Sequence, residues 1–261
     1  LSNLHFRFGH TSILQYINAS NYNFIQNEMG ILFPVAVLVS TFIIFLFFEI
    51  RKNRNLNDFS YQYLIILVFF FSVTFLERYS DYGNDASGFI YSILCIIYFF
   101  KIQNLNSEEN IKKFNLLILF SVFAFLNKSF LILFLILPLL LVNKNYILKL
   151  FKNRAIIFSS IFLTLWFFKN VLTSGCIIYP STHTCFDFLW TDIEKTKYYN
   201  IAGEAAAKGY LDLMKYKISN VQIEMFEFNK NFYWLKVWTD FHFFKIIEKI
   251  LPLLIFILIL F

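Results

Sequence analysis

The residues best suited to chemistry fall in three short stretches. The first, Glu77-Arg78-Tyr79-Ser80-Asp81-Tyr82-Gly83-Asn84-Asp85, places three carboxylates and a guanidinium within nine residues. Carboxylates at the edge of an apolar element serve as general bases or hold a divalent cation. Gly83-Asn84 suits a sharp turn that would aim Asp81 and Asp85, the candidate catalytic acids, back toward the flanking helices. The plainer alternative is a solvated turn whose acids face water. The second stretch, Asn3-Leu4-His5-Phe6-Arg7-Phe8-Gly9-His10-Thr11-Ser12, sets two imidazoles, a guanidinium and hydroxyls side by side. His5 and Arg7, with Arg78 from the acidic loop, are the groups expected to grip a phosphate or a sugar hydroxyl; the alternative is an amphipathic helix beside the membrane. The third is Lys128, the single charge between two apolar runs. An ammonium near an acyl boundary is costly unless it reaches water or meets an anion. A lipid phosphate is its natural partner, from bulk phospholipid or from a lipid-phosphate substrate.

The elements that must position these groups are apolar. Hydrophobic residues make up 58% of the 261-residue chain, charged residues only 15%, and Phe occurs 37 times. A soluble domain of this length needs roughly a quarter of its residues charged. The formal charge of +6 would suit a nucleic-acid partner only if the cations formed a patch. Instead they gather in short loops between apolar runs, so no nucleic-acid interaction is expected. Runs of the length a bilayer requires lie at about 31–50, 61–76, 87–100, 114–126, 129–142 and 155–172, with a further one opening near Leu251. The expected fold is therefore all-α: a polytopic transmembrane helix bundle of about six complete spans plus one truncated span, carrying an extracytoplasmic helical segment. Leu1 is not a start methionine and the final apolar run stops halfway across a bilayer, so the chain is expected to be a piece of a longer protein.

Orientation follows from Lys and Arg in the short loops. Arg51, Lys52 and Arg54 share one loop; Lys101, Lys112 and Lys113 the next basic one; Lys144, Lys149, Lys152 and Arg154 the third. The alternating loops hold Arg78 and Lys128 alone. The basic loops are expected in the cytoplasm, and the acidic loop, the Lys128 tip and both long polar segments outside. The chain then divides into an extracytoplasmic amphipathic segment (1–30), the helix bundle (31–172), an extracytoplasmic stretch with helices (173–250) and the start of a truncated span (251–261). Spans with almost no internal charge speak against an ion pump or proton-coupled transporter.

Within 173–250, residues 192–209 have the composition of a solvated helix, and a second helix is expected over 211–228. Residues 232–247 mix Phe232, Tyr233, Trp234, Trp238, Phe241, Phe243 and Phe244 with Lys236 and Lys245. That mixture suits a helix in the headgroup layer or one packed on the outer face of the bundle. Cys176 and Cys185 flank a short turn containing Pro180, on the side the charge pattern makes oxidising, and a disulfide is expected there. With His183 they would form only an incomplete zinc set, so no metal site is expected from them. Cys95 sits inside a span.

The opening Leu1–Ser12 segment resembles a family of bacterial polytopic membrane proteins related to the C-type glycosyltransferases, in which an Asn-Leu-His-x-Arg run precedes a Gly or Ala and a small hydroxyl pair. Arg78-Tyr79-Ser80-Asp81-Tyr82-Gly83-Asn84-Asp85 and Ser174-Gly175-Cys176-Ile177-Ile178-Tyr179-Pro180 look like members of the same family, in the same order. The resemblance implies an enzyme of the bacterial inner (cytoplasmic) membrane, working at the extracytoplasmic face on a polyprenyl-phosphate sugar donor and a glycan or lipid acceptor, among membrane lipids. It implies a principal catalytic Asp upstream of His5, with Asp81 or Asp85 in the second acidic loop and Lys128 near the donor phosphate. No cofactor is required by these motifs, although the acidic loop would accommodate a divalent cation. The paired cysteines depart from many relatives, which puts the role of the Tyr-Pro region in doubt. The alternatives are a polysaccharide polymerase or ligase, a lipid-linked oligosaccharide flippase or other transporter, and a structural membrane subunit.

Overall fold

A computed structural model describes residues 28–52, 59–74, 85–102, 108–142, 153–210, 224–230 and 232–260. Among them every regular element is helical, and the one β-type contact is an isolated antiparallel bridge between Cys176 and Cys185. The chain separates into two compact units, 11–166 and 167–261 together with 1–10.

The first unit is built on α1 (Glu28–Lys52), α2 (Phe59–Thr74), α3 (Asp85–Lys101) and α4 (Glu108–Asn127). Val35, Val39, Phe42 and Leu46 recur at three- and four-residue intervals and so share one face of α1. They pack with Ile65 of α2 and with Ala86, Ile90, Leu94 and Ile97 of α3. A second cluster, Cys95, Ile102, Phe114, Leu117 and Ile118, joins α3 to α4. The faces turned away from these cores are equally apolar: Phe47, Phe48, Phe100 and Leu165 are more than half exposed. Apolar surface on both sides of a helix is the pattern of a buried or membrane-embedded element rather than of a soluble surface helix.

Two described helical stretches are long and apolar enough to cross a membrane, Phe33–Lys52 in α1 and Arg154–Ser174, which is α6. At three of the other runs expected as spans, the described helices Tyr61–Val73, Ala86–Lys101 and Ser129–Leu141 are apolar but shorter than that, so two of the six expected spans reach membrane-crossing length. The expected run at 114–126 forms the apolar part of α4. That helix starts earlier because Glu108–Lys112 and Glu109–Lys113 pair one turn apart, at 3.4 and 2.8 Å. Such pairs stabilise an exposed first turn. Lys113 holds the exposed Glu109 carboxyl below its usual pKa, chiefly by hydrogen bonding.

The expected helical hairpin turns at Lys128, whose backbone is extended (φ −143°, ψ 116°). Its returning arm is a 3-10 helix over Ser129–Leu135 followed by α5 (Ile136–Leu141). A 3-10 helix rises about 2.0 Å per residue against 1.5 Å for an α-helix. Asn153 opens α6: its Oδ1 accepts from the Ala155 N–H at 2.9 Å, and its Nδ2 reaches Asn115 of α4 at 2.5 Å.

The second unit contains the end of α6, a disulfide-closed loop, α7 (Ile193–Ala207), α8 (Met225–Lys230) and α9 (Tyr233–Trp238), with a π-helical turn over Thr239–Phe243 leading into α10 (Phe244–Leu260). Asp192 caps α7 by accepting from the Lys195 N–H at 2.9 Å. Ala205, Phe228 and Val237 form a small core under Tyr210, Met225, Trp234 and Phe241. Lys208 donates to Glu204 at 2.5 Å and to the Asn229 carbonyl at 3.2 Å, and lies over the Trp234 ring. Most of the helix expected over 211–228 lies outside the described residues, and 225–230 is helical. The aromatic segment expected to end near 247 and the apolar run near Leu251 are not separated by a turn: the helical path continues from Tyr233 to Leu260, with Pro252 inside it.

Candidate functional site

Lys128 is placed by its neighbours on α3, on the end of α4 and on the returning arm. Asn127, 5% exposed, accepts at Oδ1 from the Ser87 hydroxyl at 2.9 Å and donates through Nδ2 to the Phe123 carbonyl at 2.7 Å. This pair ties the last residue of α4 to the first turn of α3. The Lys128 N–H donates to the Ala124 carbonyl at 3.0 Å, and the Lys128 carbonyl accepts from Leu131 at 2.9 Å. Gly88 of α3 completes the setting. A Cβ there would lie 3.5 Å from Cγ and Cδ of Lys128 and 3.3 Å from Leu131 Cδ1. The lysine stem therefore lies against Gly88 at ordinary contact distance, and only Leu131 would be pressed by a side chain there. The Lys128 ammonium sits over the Phe130 ring, 5.6 Å from its centroid, and burial lowers its pKa from the usual lysine value.

Gly88 is three residues from Asp85, the first residue of α3. The structure thus brings the stem of the tip lysine to the first turn of the helix that the acidic loop enters. Ser87, Gly88 and Asn127 are positioning residues that sequence reasoning missed. Their only signal was the small Ser-Gly pair just after Asp85 and the amide beside Lys128. Of the other expected site residues, Asp81, Arg78, His5 and Arg7 lie outside the described residues, as does the side chain of Asp85. Among the described residues, no three His, Cys, Asp or Glu groups gather where they could hold a metal ion.

Cys176 and Cys185 are joined, with Cα atoms 3.8 Å and sulfurs 2.03 Å apart. Their loop is locked to the end of α6. Gly175 donates to the Val171 carbonyl at 2.8 Å, Phe186 to the Gly175 carbonyl at 2.9 Å, and Asn170 Nδ2 to the Ile177 carbonyl at 2.9 Å. Tyr179, 4% exposed, precedes Pro180 in a cis peptide. Burial, assisted by Tyr199, pushes its phenol up to about 12, so it stays neutral at physiological pH. His183 is exposed on the same loop.

Gly175 is required twice over. Its φ of +78° is a conformation that side-chain-bearing residues rarely adopt, and a Cβ there would stand 1.8 Å from Thr191 Oγ1. Gly175→Ala is expected to cost about 2–4 kcal/mol, from left-handed strain plus overpacking, read as a lower thermal midpoint in detergent. Thr191→Ala in that background should recover only the overpacking part; a Gly175→Ala midpoint equal to the parent's would contradict the assignment.

Fold and site together define an all-α protein with helices of membrane-crossing length and a cationic hairpin tip docked beside an acidic helix start. The chain belongs to the family described as a domain of unknown function (DUF8201), which it matches over residues 1–261. No curated protein and no solved structure matches it.

Proposed function

We propose that this chain is the catalytic bundle of a multi-pass bacterial inner-membrane glycosyltransferase. It takes a sugar from a polyprenyl-phosphate donor at the extracytoplasmic face and passes it to a glycan or lipid acceptor of the cell envelope. The observation that carries this reading is the packing of the Lys128 stem against Gly88, one turn from Asp85. A phosphate and an acceptor hydroxyl meeting at one membrane boundary need a cation and a base close together. In an inverting displacement, the carboxylate of Asp81 or Asp85 takes the proton of the acceptor hydroxyl as its oxygen bonds the anomeric carbon. The bond from that carbon to the phosphate oxygen breaks, and Lys128, with Arg78, His5 and Arg7, stabilises the leaving lipid phosphate. A divalent cation at the acidic loop would serve the same end.

A flippase or transporter would need its ionisable groups along a central path. The buried ion pair Glu49–Lys101 is the described candidate, but both residues stand at helix ends, in the last turn of α1 and as the last residue of α3. Its position favours a latch over a pathway.

The direct test is Lys128→Met in the full-length protein, which removes the charge and keeps the apolar stem. A charge-assisted hydrogen bond is worth about 1.5–3 kcal/mol, so KM for a polyprenyl-phosphate sugar is expected to rise about 10- to 100-fold with kcat little changed. An unaltered KM would remove Lys128 from the donor site. Reporter fusions at Asn53, Asn106 and Lys144 should read cytoplasmic, and those at Asn84 and Ala206 external. A cytoplasmic Ala206 would place the proposed face on the wrong side.

A further inference from the structure

The loop that follows α6 carries an apolar tip that no core of the described residues covers. Phe186, Phe188 and Trp190 are 45%, 37% and 47% exposed, and Leu189 is fully exposed. These side chains are held in one array: Phe186 and Phe188 have ring centroids 5.5 Å apart, and Phe188 stacks on Trp190 at 4.7 Å with planes 16° apart. The backbone fixes the array, since Phe188 donates to the Phe186 carbonyl at 3.0 Å and Thr191 to the Phe188 carbonyl at 2.9 Å.

What distinguishes the tip from a stray apolar loop is its height along α6. The Trp190 indole N–H donates to the Val171 carbonyl at 3.3 Å. Val171 lies three residues before the helix ends at Ser174, about 4.5 Å back along the axis at the α-helical rise. The loop therefore folds down beside the last turn of α6 instead of rising from it. Over the last two turns of α6, Phe168 and Leu172 are themselves 61% and 56% exposed. The tip and the apolar surface of a helix long enough to cross a membrane meet at one level.

We propose that Phe186–Trp190 is an interfacial anchor that seats in the headgroup layer of the outer leaflet, its partner being the phospholipid surface itself. This rests on the membrane reading of α6 given above. Tryptophan and other amphipathic aromatics concentrate at that depth. Asp187, exposed between the two phenylalanines, keeps the tip among the headgroups and out of the acyl core, where a carboxylate is costly. The disulfide and the hydrogen bonds to α6 then give the anchor a second role: the whole 175–192 loop is held at fixed depth, with the exposed His183 presented at the membrane boundary.

The test uses the full-length, oxidised protein in nanodiscs of phosphatidylcholine and phosphatidylglycerol. Leu189→Cys, at a fully exposed position, is labelled with an environment-sensitive fluorophore; Cys95 is buried and shielded from the label. Quenching is compared for lipids carrying a spin label at carbon 5 or carbon 12 of the acyl chain, and for aqueous iodide. Leu165→Cys, at mid-helix in α6, is the reference. The expected result for Leu189 is at least twofold stronger quenching by the shallow label than by the deep one, with protection from iodide. Iodide quenching without lipid quenching at Leu189, while Leu165 is quenched by the deep label, overturns the anchor and leaves the membrane reading standing. A Leu189 label shielded from both, or quenched most by the deep label, also overturns it. If neither position is quenched by lipid, the membrane reading falls and the anchor with it.

Discussion

Asp85→Asn or Asp81→Asn, in the full-length protein at matched membrane abundance, is expected to lower glycan assembly by about 100- to 10,000-fold, the usual loss when a general base is removed. The substitution keeps the shape of the side chain and removes its ability to accept a proton or hold a cation, so folding should be little affected. Asp85 is the stronger candidate of the two because it begins the helix whose first turn receives Lys128. The readout is complementation of an envelope-glycan defect together with the rate on a polyprenyl-phosphate donor. A solvated turn makes the opposite prediction: surface substitutions there shift stability by less than about 0.5 kcal/mol and leave activity intact. Full activity in both variants would reject the loop as catalytic.

The second large effect lies at the other end of the first unit and concerns stability alone. Glu49, 8% exposed, accepts from Lys101 at 2.6 Å and from the Tyr61 hydroxyl at 3.1 Å. The Lys101 ammonium also lies 5.3 Å from the Phe45 ring centroid and 5.4 Å from that of Tyr98. One carboxylate thus joins α1, α2 and α3. Removing one partner of a buried pair strands the other, at a cost of about 3–5 kcal/mol. Glu49→Leu and Lys101→Met are each expected to lose that much, measured by thermal or denaturant unfolding in detergent. The double variant should return to within about 1–2 kcal/mol of the parent, because an apolar pair of similar volume often replaces a buried ion pair without loss. Single variants that each cost less than about 1 kcal/mol would mean that the pair is solvated in the native protein.

The helical class was legible because apolar runs and basic loops alternate, a pattern set by local sequence. What was not legible depends on which helices meet. Lys128 stood out as a lone charge, but its contact with Gly88 exists only once α3 lies against the hairpin. Glu49 reads in sequence as one more charge at a helix end before Arg51 and Lys52; its burial depends on Lys101 and Tyr61 arriving from two other helices. The 3-10 geometry of Ser129–Leu135 was hidden for a different reason. A uniformly apolar run has no periodicity to distinguish three residues per turn from 3.6. An apolar run was expected to open near Leu251, yet the helix arrives there already formed and passes through Pro252, as helices do where neighbouring groups or local adjustment satisfy the freed carbonyl. At the acidic loop, sequence alone selects the residues, since most of it lies outside the described structure.

The short arms of the first unit would, on the proposed membrane reading, have a consequence for the lipid around them. At the α-helical rise, α2 with 16 residues and α3 with 17 extend only about 24–26 Å. The returning arm of the hairpin, even lengthened by its 3-10 turn, reaches about 23 Å. A typical hydrocarbon core is about 30 Å thick. In the multi-pass bundle proposed above, such helices would meet that mismatch by pulling the leaflets inward, and so lower the outer phosphates toward the hairpin tip. A dimple of this kind would deliver a lipid-borne phosphate to Lys128 without requiring the lysine to climb to it.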